Sequence, residues 1–122
     1  MEEEFNHKPT GEEIRTLVMS WYNRQTDAAI LSGFTYNGAS VWLSVANQYN
    51  YKAAYDLAVQ TGGETLPVTF KFGSDEHPEY HTFSRLDELK DFYTKAVRYI
   101  QKVLAEGWEK KDKFNLDLYR IK

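Results

Sequence analysis

The chain has 122 residues, no cysteine and a net charge of −3, with a pI near 5.6. That length suits one domain able to bury a core without staples, and the missing cysteines exclude disulfides, thiolate catalysis and cysteine-based zinc sites. The acidic balance argues against a nucleic-acid partner, which would call for a basic stripe, and no apolar run reaches membrane-spanning length.

Aromatic residues make up 16% of the chain, so some of the Tyr and Trp must sit at the core margin or on the surface. There they favour protein contacts. The opening Met-Glu-Glu-Glu-Phe-Asn-His is acidic and unlike a signal peptide. The expected compartment is the cytoplasm, or a particle assembled there. Residues 1–9 read as a flexible, charged arm, and 10–122 as a single α+β domain.

Thr10-Gly11-Glu12-Glu13 has the form of a capping box and predicts a helix over 11–32. Ile14, Leu17, Val18, Trp21, Ala28 and Leu31 recur at helical spacing and form its expected buried stripe. Gly33 suits a left-handed helix end. Gly33 to Leu43 then holds Asn37-Gly38 between two alternating runs, the strongest local signal for a tight hairpin. Pairing outward sets Tyr36 against Ala39, Thr35 against Ser40 and Phe34 against Val41. Period two puts Phe34, Tyr36, Ala39, Val41 and Leu43 on one face, expected to be roofed by the first and last helices.

Ser44 is placed to cap a second helix, which Gly62-Gly63 stops. Val68, Phe70 and Phe72 alternate with polar partners as a half-buried strand, and Glu79 to Phe83 returns after a polar turn. Leu86, Leu89, Tyr93, Ala96, Ile100 and Val103, widened by Phe92, Val97, Leu104 and Trp108, predict a long helix over about 85–111. The tail 114–122 fits a short strand or a further helical turn equally well. The order is helix, β-hairpin, helix, β-hairpin, long helix, with the two long helices antiparallel.

Signals for chemistry are sparse. His77 and His81, with Glu76 and Glu79, could supply metal ligands, but a hairpin does not converge such side chains as a helix would. His7 lies in the arm. The acid pairs Asp75–Glu76 and Asp87–Glu88 lack apolar neighbours that would raise a pKa. Gly62-Gly63 has no downstream Lys-Ser/Thr, and no Gly-x-Ser-x-Gly elbow occurs. No catalytic residue, metal ligand or cofactor is assigned. The expectation is a non-enzyme whose aromatic side chains Trp42, Tyr49, Tyr51 and Tyr55 contact a protein partner or a second copy. The alternative is a small metal-binding or enzymatic accessory built on His77, Glu79 and His81.

Arg24-x-x-Asp27-x-x-Ile30-x-x-Gly33-Phe34-Thr35-Tyr36-Asn37-Gly38 resembles the opening of a domain of unknown function found in tailed-phage and prophage proteins. That domain often stands at the C-terminal part of tail-fibre or tail-fibre-assembly-like proteins. Leu66 to Lys71 and the run from Ser84 to Lys111 agree with it in order and character, so the resemblance covers about 11–113. The apolar Val41-Trp42-Leu43 departs from its usual polar, acidic pattern. The resemblance implies a small structural or interaction module of prophage type and supplies no catalytic residues.

Overall fold

The computed structural model describes Lys8 and residues 10–121. The arm expected over 1–9 falls, apart from Lys8, outside the described residues, as does Lys122. The described residues form an α+β layout in the expected order: helix α1 (Gly11–Ser32), hairpin β1–β2 (Phe34–Tyr36 and Ala39–Val41), helix α2 (Val45–Gln60), hairpin β3–β4 (Val68–Gly73 and Pro78–Phe83) and the long helix α3 (Leu86–Ile121).

Local chemistry accounts for most boundaries. The Thr10 hydroxyl accepts from the Glu13 amide at 3.1 Å, and Ser44 does the same for Asn47 at 3.1 Å. These bonds satisfy donors that a helix start leaves unpaired. Asn37 (φ 50°) and Gly38 (φ 83°) both take the left-handed backbone that a type I′ turn requires. The register is Phe34–Val41, Thr35–Ser40 and Tyr36–Ala39, as the alternation demands. Each hairpin is its own two-stranded antiparallel sheet.

Gly33 departs from expectation. Its φ of −98° and ψ of −8° are open to any residue, so the helix does not end in a left-handed cap. The glycine is needed for space. A Cβ there would strike the Tyr99 hydroxyl and lie 2.6 Å from the Ala29 carbonyl oxygen, two groups hydrogen-bonded to each other at 2.6 Å.

The tail resolves as helix, so α3 is 36 residues long, roughly 54 Å at 1.5 Å per residue. It continues past 111 because α1 lies beside it. Phe114 packs edge-on against Tyr22, Lys111 donates to Asn23 at 3.0 Å, and Arg15 donates to Asn115 at 2.9 Å. These pairs run in opposite directions along the two helices, which are therefore antiparallel. Gly107 permits the close crossing, since a Cβ there would lie 2.5 Å from Thr26 Oγ1.

The core is a cluster of rings around Phe92, which is fully buried. Phe34, Tyr36, Tyr51, Phe70, Phe72 and Phe83 all place ring centroids within 6.4 Å of it. The roof over the hairpins is therefore chiefly α3 and α2, which supply Leu89, Phe92, Ala96, Tyr51 and Ala58, while α1 adds only the partly buried Ile30. Helix α1 contributes no buried residue. It lies against the α3 segment from Tyr99 to Asn115, whereas the hairpins pack chiefly on the segment from Leu89 to Ala96, with Phe34 reaching on to Tyr99.

Candidate protein-contact surface

Of the four aromatic residues proposed as one patch, Trp42 stands apart, while Tyr49, Tyr51 and Tyr55 gather where α2 meets α3. Tyr51 is 4% exposed, with its ring 4.7 Å from Phe70 and 5.0 Å from Phe92. It belongs to the core and faces the second hairpin, so it is not an exposed anchor, though it also lines the floor of the groove between α2 and α3. Trp42 is 45% exposed and lines a polar cleft with Asn47, Lys71 and the turn residues 73–76. Asn47 Nδ2 donates to the Trp42 carbonyl at 2.8 Å and holds the chain in place there.

Tyr49 opens a different site. It is 75% exposed and stands with Val45, 84% exposed, on the free side of α2. Opposite them α3 presents Tyr93, Val97 and Ile100, and the two helices enclose a groove of about 290 Å³. Tyr55 joins its edge by stacking on Tyr93, centroids 4.9 Å apart at 23°. Lys52, ion-paired with Asp56, and Gln48, hydrogen-bonded to the Leu43 carbonyl, provide a polar rim. An apolar floor, half-exposed tyrosines and a polar rim are the ordinary anatomy of a protein-binding groove. The breadth of the α3 stripe in the sequence hinted at this site, because Val97 and Ile100 exceed what the two hairpins can cover.

The groups considered for chemistry are used structurally. His77 lies in the turn, where its amide donates to the Ser74 hydroxyl at 3.0 Å. His81 packs its ring 4.4 Å from Phe83 and 5.9 Å from both Phe72 and Tyr36. Among the described residues, no group of three or more His, Asp or Glu is placed to hold a metal ion. Asp87 pairs with Arg85, which holds its carboxyl below the usual range, and Asp75 pairs with Lys71 at 3.3 Å.

One polar cluster flanks the core. The Tyr36 hydroxyl donates to Asp91 at 2.8 Å, Lys95 pairs with the same carboxylate at 3.0 Å, and its ammonium lies 5.5 Å from the Tyr36 ring centre. Burial, then the Asp91 hydrogen bond and the Asp91 and Glu88 charges, push the phenol up to about 12. The protonated phenol serves here as a hydrogen-bond donor to Asp91. Below pH 10 it is protonated in folded and unfolded chains alike, so its stabilisation is complete there. Between about pH 10 and 12 the unfolded chain loses the proton first, and about 2–3 kcal/mol of stability disappears. Tyr36→Phe is expected to make the alkaline limb of stability against pH shallower in urea titrations. Tyr51 and Tyr99, also pushed up by burial, keep part of the slope. An unchanged limb would remove Tyr36 as its source.

The fold and these surfaces define a small α+β domain whose accessible features are grooves. No described helix is long and apolar enough to cross a membrane. Residues 13–121 match a domain of unknown function, DUF4376, and the chain belongs to that family. No curated protein and no solved structure matches it.

Proposed function

We propose that this domain is a non-catalytic protein-interaction module, phage- or prophage-derived and of the tail-fibre-associated type. Its partner is a protein that inserts an apolar segment into the groove between α2 and α3. The observation that carries the reading is the exposure of Tyr49 and Val45 beside Tyr93, Val97 and Ile100. Contiguous with the apolar lining of the groove, they form the kind of exposed patch that marks interaction sites. The phage attribution rests on the resemblance carried by the Gly33 to Gly38 motif. Phage structural genes beside the coding sequence would support it, and a metabolic neighbourhood would count against it.

The groove is tested by affinity capture from cells in which the prophage is induced, using wild-type chain and Tyr49→Ser. Both positions of a second variant, Tyr49→Ser with Val45→Asp, are exposed, so folding is expected to persist. Loss of an exposed-ring anchor at an interface costs about 2 kcal/mol or more, roughly a thirtyfold loss of affinity. A partner recovered equally by wild type and both variants would refute the groove.

A further inference from the structure

Helix α1 carries two apolar faces, and α3 covers only one. Val18, Tyr22, Thr26 and Ala29 are half-buried on the side of α3. Ile14, Leu17, Trp21, Ala28 and Leu31 are exposed, with Leu17 at 68%. Read from the sequence as the buried stripe of α1, they are instead largely its open face, with Trp21 also bordering the cleft toward α3 beside Tyr22. With Arg24 included, they follow alternating steps of three and four, which is the 3.5-residue period of a seam between two helices.

We propose that this stripe pairs with the same stripe of a second copy of the chain, antiparallel, as a symmetric homodimer. An interface of this kind must be self-complementary. The antiparallel register meets that demand. Ile14 faces Leu31 of the second copy, Leu17 faces the small Ala28, and Trp21 faces Arg24. Each guanidinium then lies over an indole, where the ring quadrupole attracts it. At the flanks, Asp27 comes opposite Ser20 and Gln25 opposite Val18, so no like charges meet. This surface is separate from the α2–α3 groove, so each can fail without the other.

Sedimentation equilibrium of the full chain, from low to high micromolar concentration, tests the dimer. The expected result is a monomer–dimer equilibrium whose dissociation constant rises about tenfold or more in Leu17→Lys. Tyr49→Ser should leave that constant unchanged, and circular dichroism should show the Leu17→Lys chain folded, its position being exposed. Direction is read by cross-linking. Positions 14 and 31 lie about 25 Å apart along the helix. A short bismaleimide should join Ile14→Cys to Leu31→Cys when the two variants are mixed, and join neither to itself. A monomer at every concentration, a trimer, a dimer indifferent to Leu17→Lys, or self-linking of Ile14→Cys would each overturn the proposal.

Discussion

Phe92→Ala is expected to lower the unfolding free energy by about 3–5 kcal/mol, the range for deleting a fully buried ring. The ring is 0% exposed and touches rings from both hairpins and from α2. The sheets share no backbone hydrogen bonds with each other, so side chains alone join them. Phe92 is the side chain common to both: Phe34 and Tyr36 of the first hairpin and Phe70, Phe72 and Phe83 of the second all reach it. Removing it costs the transfer energy of the ring and leaves a void that three separately supported elements cannot easily close. Folded domains are stable by only about 5–15 kcal/mol, so much of the margin would go. Urea titration is the measurement, with the midpoint falling and the slope unchanged if the variant still unfolds in one step. Phe92→Leu should recover part of the loss. A drop below about 1 kcal/mol for Phe92→Ala would show that the hairpins are held some other way.

Gly33→Ala is expected to destabilise the chain by about 2–4 kcal/mol, combining overpacking with a disturbed hydrogen bond. Helix propensity points the other way, because alanine is the better helix-end residue at a φ of −98°. Sterics decide. The added methyl would enter the space of the Tyr99 hydroxyl and crowd the Ala29 carbonyl that this hydroxyl bonds. Tyr99 also packs its ring 5.4 Å from Phe34, so it cannot retreat without disturbing the first hairpin. Tyr99→Phe in the Gly33→Ala background removes the struck oxygen and should restore part of the stability. The two changes should therefore combine non-additively in a double-mutant cycle. Additive losses, or a stabilised Gly33→Ala chain, would return Gly33 to a conformational role.

Both outcomes turn on contacts between segments far apart in the chain, which no local pattern contains. The turn at Asn37-Gly38, the register it imposes and the caps at Thr10 and Ser44 depend on atoms within a few residues of one another. Local chemistry settles such features, so they were legible in the chain. The same holds for the alternation that buries Phe34, Tyr36, Ala39 and Val41. Periodicity identified α1 as a helix, but not which of its apolar flanks meets α3, because two overlapping stripes satisfy one spacing. The end of α3 was open for a related reason: Phe114 and its neighbours fit either period until α1 lies beside them.

The candidate site shows the same division. Trp42, Tyr49, Tyr51 and Tyr55 are near neighbours in sequence, and a ring is equally suited to a core or a surface. Tyr51 turned inward only because Phe70, Phe72 and Phe92 converge on that side of α2. Tyr49, two positions earlier, was left outward by helical rotation. By itself the sequence determined the elements, their order, the register of the first hairpin and the absence of thiol chemistry. Only the tertiary structure decided which faces are covered, because burial depends on elements far apart in the chain, brought together by the packing of the whole.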